Sequence, residues 1–188
     1  MRKTLLSPRA TGLVAAAALA LIPVASAQAD GTGGTSPTGD PSSTPPPSTV
    51  PGEKAQLVNG RAIAPESAPN RVKRVIAAAN RIRNKPYVYG GGHASFKDTG
   101  YDCSGAVSYA LHGGGLLDSP LDSSSLMSDW GRPGIGSWIS VYGNPGHAYM
   151  IVAGLRFDTS MTPGNGPGWS KTLRSTPGRF AVRHIGSL

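Results

Sequence analysis

The chain has a single cysteine, Cys103, among its 188 residues. A disulfide within the chain is therefore excluded, and the alternatives to a functional thiol are a bond to a second molecule or a plain buried thiol. The four histidines do not cluster with Cys103 at the spacing of a metal site. We accordingly expect neither a metal ion nor any other cofactor.

The chain also lacks a hydrophobic run of about 20 residues, the length needed for an ordinary membrane span. It begins with Arg2, Lys3 and Arg9, continues with a short apolar run from Leu13 to Val24, and reaches Ala25-Ser26-Ala27. A basic start, a short apolar centre and an A-x-A site are typical of a secretory signal peptide. We therefore predict that residues 1–27 direct secretion, with an uncleaved anchor as the alternative.

Acidic residues are scarce, with 10 Asp and Glu against 18 Lys and Arg and a formal net charge of +8. A basic exported protein is attracted to anionic polymers such as those of a bacterial envelope. Nucleic acid carries the same charge, but the sequence shows no groove motif that combines basic and aromatic residues. We therefore predict an anionic cell-wall surface, and not nucleic acid, as a partner.

Residues 28–67 contain little apolar surface, and the stretch DGTGGTSPTGDPSSTPPPSTVPG within them consists mainly of Gly, Ser, Thr and Pro. Ordering such a segment costs conformational entropy with little burial in return, and its prolines favour a semi-extended chain. The composition predicts a disordered linker over residues 28–67. No internal repeat is apparent, so we expect residues 68–188 to form one monomeric domain.

Helices precede strands in the predicted domain. An apolar stripe predicts a helix over residues 69–84, and CSGAVSYALH predicts a second helix that begins at Cys103. Four segments are typical of strands, the last at a sheet edge: SWISVY (137–142), HAYMIVAG (147–154), LRFDTS (155–160) and FAVRHI (180–185). This order predicts an α+β fold in which helices pack on a central antiparallel sheet.

Cys103 lies at the first turn of the second predicted helix. A helix N-terminus carries unpaired N–H groups and partial positive charge, which stabilise a thiolate, so Cys103 is a candidate nucleophile that needs a base. His112 faces away from it on the same helix, His93 lies in a glycine-rich loop, and His184 lies near the C-terminus. His147 opens a strand that is apolar on both faces, and it is the candidate base, with a satisfied polar residue as the alternative.

A hairpin that turns at Ala153-Gly154 would pair Val152 with Leu155. Asp158 would then lie diagonally across from His147 on the same face of the sheet, within reach of its side chain. A shift of one residue would place Asp158 on the other face. Asp158 is therefore the candidate group that orients the imidazole, with His184 as the alternative.

Three segments in this order, KPYVYGGG, GYDCSGAVSYAL and GHAYMIVAG, resemble the NlpC/p-sixty family of bacterial cell-wall endopeptidases. These enzymes are papain-like cysteine peptidases, and the resemblance covers roughly residues 70–160. It implies a papain-like NlpC-type fold. It also implies cleavage of peptidoglycan stem peptides, often between D-glutamate and diaminopimelate.

The resemblance also implies roles for individual residues. Cys103 matches the nucleophile, His147 the base, and Asp158 falls closest to the third polar residue. Tyr87 of the PYxxGG motif would lie near the thiol and help to bind the oxyanion. Two further positions would line the pocket for the free L-alanine amine of the stem peptide, namely Asp102 and Ser104.

Two other functions are compatible with these residues. An amidase or acyltransferase would use the same papain-like site on a different amide or ester. A wall-binding protein would keep the fold with a weak or inactive site. The presence of Cys103, His147 and Asp158 disfavours the wall-binding protein. A secreted peptidoglycan hydrolase is the leading interpretation, with the amidase or acyltransferase as the alternative enzyme.

Overall fold

Residues 49–161, 166–175 and 179–188 are described by a computed structural model of the chain. The predicted signal peptide and residues 28–48 of the predicted linker lie outside these residues. Helices pack on an antiparallel sheet, which confirms the α+β class. No helix in the described ranges has the length and apolar character required to cross a membrane.

Residues 49–67 are folded, although their composition predicted a linker. Strands β1 (Gln56–Val58) and β2 (Arg61–Ile63) form a hairpin whose turn, Asn59-Gly60, has positive φ at both residues. Asn-Gly is a strong hairpin signal because both residues tolerate that conformation. The buried side chain of Asn80 binds the backbone of Ala62 in both directions, at 3.0 and 2.7 Å. The folded region therefore includes residue 49 and does not begin at 68.

Two longer helices follow the hairpin, α1 (Asn70–Ile82) and α2 (Cys103–Gly113). The apolar stripe predicted for the first helix is buried, as the side chains of Val72, Val75, Ile76, Ala79 and Ile82 show. Gly113 lies so close to α1 that a side-chain carbon there would overlap Cβ of Ala78. A short helix, α3 (Ser123–Ser128), follows α2, and the Asp122 side chain caps it.

Six strands form the main sheet of the described residues. They are β3 (Arg132–Pro133), β4 (Ile139–Asn144), β5 (His147–Val152), β6 (Leu155–Met161), β7 (Gly166–Ser170) and β8 (Ala181–His184), in the order β3-β8-β4-β5-β6-β7. Strand β7 lies in a Gly- and Pro-rich segment that gave no strand signal. Strand β8 pairs with both β3 and β4 and is not an edge strand, which corrects the expectation for residues 180–185.

The hairpin of β5 and β6 has the predicted register. Val152 pairs with Leu155, and the turn residues Ala153 and Gly154 both have positive φ, at 46° and 85°. Strand β5 lies in the interior of the sheet, and most of its side chains are buried, as its continuous apolar sequence predicted. Helix α2 packs on β5 and β6. This packing brings the start of α2 close to the start of β5.

Candidate active site

Cys103 is the first residue of α2, and two features fix this helix end. The Asp102 side chain caps the helix by accepting a 2.7 Å hydrogen bond from the backbone N–H of Gly105. A side-chain carbon at Gly105 would overlap the carbonyl oxygen of Gly91, so glycine is required where the loop packs on the first turn. The two glycine-containing motifs of the sequence thus meet in space and hold the thiol in place.

The thiol of Cys103 has a pKa below its ordinary value. Burial, the largest single influence, raises this pKa, but hydrogen bonds from the side chain of His147 and the backbone N–H of Ala148 lower it, and the net shift is downward. The positive charge of His147 acts in the same direction, whereas the negative charge of Asp102 opposes it. The site therefore favours a thiolate paired with an imidazolium.

His147 connects the thiol to Asp158. Its Nε2 atom lies 2.9 Å from Oδ1 of Asp158, which leaves the Nδ1 side of the ring for Cys103. Burial lowers the pKa of His147, but hydrogen bonds and attraction from Asp158 and Cys103 outweigh it and raise the pKa to about 9. The geometry places in one series the three residues that the sequence singled out as nucleophile, base and orienting group.

Asp158 is a buried carboxylate with several donors around it. Its side chain is inaccessible to solvent, and its Oδ1 accepts hydrogen bonds from the backbone N–H of Ser160 at 3.2 Å and from the Ser160 hydroxyl at 2.9 Å. Burial raises the pKa of Asp158, but the hydrogen bonds from His147 and Ser160 and the charges of His147 and Arg174 hold it far below its ordinary value. The group is therefore ionised whenever the protein is folded near neutral pH.

Arg174 also contacts this series, and no sequence pattern pointed to it. Its Nε donates to Oδ2 of Asp158 at 2.9 Å, and its Nη2 lies 2.9 Å from Nε2 of His147. Arg174 lies after β7 in the polar stretch KTLRS (171–175), where no periodicity marks one side chain above another. Only the folded path of this segment reveals its position.

Tyr87, Asp102 and Ser104 lie around the start of α2. Burial is the main cause of a raised pKa at Tyr87, and the charges of Cys103 and Asp102 add to it. Asp102 Oδ1 contacts the Ser104 hydroxyl at 3.3 Å and Nε2 of His93 at 3.0 Å. Its Oδ2 accepts a bond from the Gly90 N–H at 3.1 Å.

The remaining histidines occupy different places. His93 contacts Asp102 and Ser104 and thus belongs to the surroundings of the helix end, a position that its glycine-rich loop did not specify. His112 is exposed and stacks on Phe96, as its place on the far side of α2 predicted. His184 hydrogen-bonds the carbonyl of Gly134. The structure therefore pairs His147 with Asp158 and gives His184 no part in this series. Among the described residues, no group of three or more His, Cys, Asp and Glu is arranged to hold a metal ion.

No protein-family model and no curated protein sequence matches the chain. Several solved structures resemble it. A P60 domain of an antigen from M. avium subspecies paratuberculosis is 24% identical in sequence to this chain. The alignment covers 61% of this chain and 95% of that domain, with a TM-score of 0.46. The peptidoglycan hydrolase RipB from Mycobacterium tuberculosis is 23% identical, covers 61% of this chain and 64% of its own, and has a TM-score of 0.46.

A third similar structure is RipD from Mycobacterium tuberculosis, described as a non-catalytic NlpC/p60 domain protein adapted to peptidoglycan binding. It is 17% identical, covers 63% of this chain and 99% of its own, and has a TM-score of 0.45. The family that the sequence motifs resemble is thus also the family of two of these three structures. Because a fold does not by itself imply a function, the function is argued from the residues of this chain.

Proposed function

We propose that this protein is a secreted, monomeric peptidoglycan hydrolase that cleaves stem peptides as a cysteine endopeptidase. The proposed bond lies between D-glutamate and diaminopimelate. The observation that carries the proposal is the series from the Cys103 thiol through His147 to the buried Asp158 carboxylate. A thiol with a lowered pKa, a histidine beside it and an anion behind the histidine are the parts that acyl transfer requires.

In the first step, the Cys103 thiolate attacks the carbonyl carbon of the scissile amide. The carbonyl oxygen becomes an oxyanion, and the amide N–H groups in the first turn of α2 lack helical acceptors, so the one at Cys103 can bind it. The hydroxyl of Tyr87, whose pKa is raised in part by the charge of Cys103, is the second proposed donor. His147 then gives its proton to the leaving amine as the C–N bond breaks, and a thioester remains on Cys103.

In the second step, neutral His147 takes a proton from water, which attacks the thioester carbon. The tetrahedral intermediate collapses, the carboxylic acid leaves, and Cys103 returns to the thiolate paired with protonated His147. Asp158 keeps the imidazole oriented throughout, because its own carboxylate is fixed by Ser160. No step requires a cofactor.

The substrate amine is proposed to bind at Asp102 and Ser104. A carboxylate has about four acceptor positions on its two oxygens. In Asp102, Oδ1 contacts Gly105, Ser104 and His93, whereas Oδ2 contacts the N–H of Gly90. Oδ2 therefore retains capacity for a free L-alanine ammonium group, which a charged acceptor binds strongly.

The test is release of soluble peptide from purified sacculi. Wild-type protein should release peptide, and Cys103→Ala should not. His112→Gln serves as a matched control because His112 is on the same helix but outside the site, and it should retain wild-type release. Equal release by wild type and Cys103→Ala would refute the hydrolase, and mass spectrometry of the products identifies the bond.

The same experiment separates the two alternatives. Sedimentation of the protein with sacculi, without release of peptide, would favour a wall-binding protein. Products in which an acyl group has moved to an amine or a hydroxyl other than water would favour an acyltransferase, and cleavage of an amide outside the stem peptide would favour an amidase. Each alternative predicts a different observation, either binding without products or a distinct product, and all of them can be measured on one set of samples.

A further inference from the structure

Arg174 contacts both members of the pair that supports the nucleophile. Its guanidinium is bound to Asp158 through Nε at 2.9 Å and through Nη2 at 2.9 Å, both to Oδ2. The same Nη2 contacts the Ser160 hydroxyl and lies 2.9 Å from Nε2 of His147. A cation that touches the imidazole at this atom must affect where the ring carries its proton.

The atom Nε2 of His147 has two neighbours with opposite requirements. The carboxylate of Asp158 only accepts hydrogen bonds, so it favours a proton on Nε2. The guanidinium of Arg174 only donates, so it favours a lone pair on Nε2. Both distances are 2.9 Å, and one proton state cannot satisfy both contacts at once. The two neighbours therefore compete for the protonation state of the ring.

Aromatic rings hold the guanidinium in this position. Its central carbon lies 5.1 Å from the ring centroid of Tyr149 and 5.9 Å from that of Phe180, distances at which an arginine is attracted to a ring. The ring of Phe180 also meets the ring of Tyr149 edge to face. Arg174 is thus bound on several sides and only partly exposed, and its charge is weakly screened by solvent.

Few other charged or titratable groups face His147. The sulfur of Cys103 approaches from α2, and the carboxylate of Asp158 approaches from β6, where Arg156 lies 3.5 Å from the same carboxylate. The phenol of Tyr149, on the same strand as His147, has a ring centroid 6.4 Å away, and burial raises its pKa to about 12, so it is neutral. Tyr142 from β4 reaches this group only by stacking on Tyr149.

We propose that Arg174 is a positioning residue that limits protonation of His147 by donating to Nε2 and by neutralising the Asp158 carboxylate. The proposal rests on the proposed function only for its consequence in catalysis. When the resting thiolate–imidazolium pair loses a proton, Arg174 donates to Nε2 and the remaining ring proton lies on Nδ1, towards the Cys103 thiolate. In the acyl-enzyme the ring proton lies on Nε2, so that Nδ1 can accept a proton from water. When His147 is protonated, Nε2–H donates to Asp158, and Arg174 keeps its bonds to Oδ2 alone.

This role has a consequence for each step of the proposed reaction. An imidazolium that is stabilised only by Asp158 would give up its proton to the leaving amine reluctantly. The proton that reaches the leaving amine comes from Nδ1, on the side of the ring that faces Cys103. The charge of Arg174 opposes the stabilisation of the imidazolium and so eases this transfer. The arginine therefore brings the acidity of the imidazolium closer to the working pH, where general acid–base catalysis is most effective.

The direct test is an NMR titration of His147, which requires no substrate. Arg174→Gln should raise the imidazolium pKa by about one unit, because a like charge and the neutralising partner of Asp158 are both lost. Arg174→Lys keeps a positive charge and should shift the pKa by less than half as much. Lys171→Gln makes the same charge change at an exposed residue of the same segment and should leave the pKa unchanged.

A second measurement uses the unmodified protein and so does not depend on the folding of any variant. The nitrogen chemical shifts of neutral His147, recorded above the imidazolium pKa, distinguish the two tautomers. The proposal requires the proton on Nδ1. A proton on Nε2, or an unchanged or lowered pKa in Arg174→Gln, would overturn it and leave Arg174 as a structural support of Asp158.

The kinetic readout separates this proposal from the proposed function. If the protein hydrolyses stem peptides, the basic limb of its pH profile for kcat/KM should move to higher pH in Arg174→Gln and move by less than half as much in Arg174→Lys. A basic limb that stays in place in Arg174→Gln would contradict the role of its charge. If no hydrolysis occurs with wild type, the function fails, while the titration and the tautomer still decide the role of Arg174.

Discussion

Nε2 of His147 and Oδ1 of Asp158 lie 2.9 Å apart, although the two residues are 11 positions apart on neighbouring strands. The contact crosses the sheet diagonally and depends on the register of the hairpin that joins β5 and β6. A change of one residue in that register would move Asp158 to the opposite face. The tight turn at Ala153-Gly154 therefore determines whether the imidazole has an anionic partner.

Asp158→Asn should lower kcat by about 100-fold with little change in KM, because the neutral amide neither stabilises the imidazolium nor specifies its orientation. Steady-state kinetics on a soluble muropeptide measure both constants. Asp118→Asn, at an exposed carboxylate outside the site, is the control. A kcat unchanged in Asp158→Asn would mean that His147 acts without this partner.

The reactivity of Cys103 should persist to lower pH than that of an ordinary thiol. Its pKa is lowered by hydrogen bonds from His147 and Ala148, against the opposing effect of burial. In His147→Gln the charge of His147 is lost while burial remains, so the pKa should rise and alkylation should require higher pH. Iodoacetamide modification followed by mass spectrometry across a pH series gives both inflections. Identical inflections in the two proteins would show that His147 does not stabilise the thiolate.

Asn80→Ala should destabilise the protein by about 3 kcal/mol, since three buried groups lose their partner. Asn80 binds the backbone N–H and C=O of Ala62 and also accepts a 3.1 Å hydrogen bond from the indole of Trp169. Urea denaturation measures the free energy of unfolding. The exposed neighbour Asn84 provides the control, and Asn84→Ala should change this energy by less than about 0.5 kcal/mol. Equal effects would mean that the N-terminal hairpin is not an integral part of the domain.

A basic cleft should hold the protein on an anionic wall. Its volume is about 360 Å³, and its lining consists of Arg61, Asn80, Arg81, Arg83, Asn84 and Lys85. In the described part of the chain, none of these cations lies within ion-pair distance of an acidic group. The double variant Arg81→Gln/Arg83→Gln should therefore bind sacculi more weakly than wild type and show a smaller dependence on salt.

Sedimentation with sacculi over a range of salt concentrations measures this retention. A matched variant, Arg132→Gln/Lys171→Gln, removes the same charge from exposed positions outside the cleft. It should retain most of the wild-type binding. Equal losses in the two variants would show that net charge alone, and not the cleft, attracts the wall.

Segments with strong periodicity were predicted closely. The apolar stripe of α1, the start of α2 at Cys103 and the covered strand β5 all follow from local spacing, which reports which side chains must be buried. The register of β5 with β6 also followed from sequence, because the turn at Ala153-Gly154 fixes it. These elements supply the three residues of the candidate series.

Segments without periodicity were predicted poorly. The hairpin at residues 56–63 was not predicted, because its surroundings are polar, even though Asn59-Gly60 is a turn signal. Its hydrogen bonds to Asn80, which is distant in sequence, hold it on the domain. Strand β7 contains two glycines and a proline, so it lacks the usual strand residues and is ordered by pairing with β6. The position of β8 depends on the choice of partner strand, which no local pattern encodes.

The sequence by itself determined the residue types of the site, because a lone cysteine at a helix start and a histidine at the start of a covered strand are recognisable from short-range patterns. It also determined the pairing of Asp158 with the strand of His147 through the turn between them. Only the tertiary structure decided that His93 reaches Asp102 and that Arg174 reaches both His147 and Asp158. Those contacts join segments with no shared periodicity, and their distances depend on how the whole chain packs.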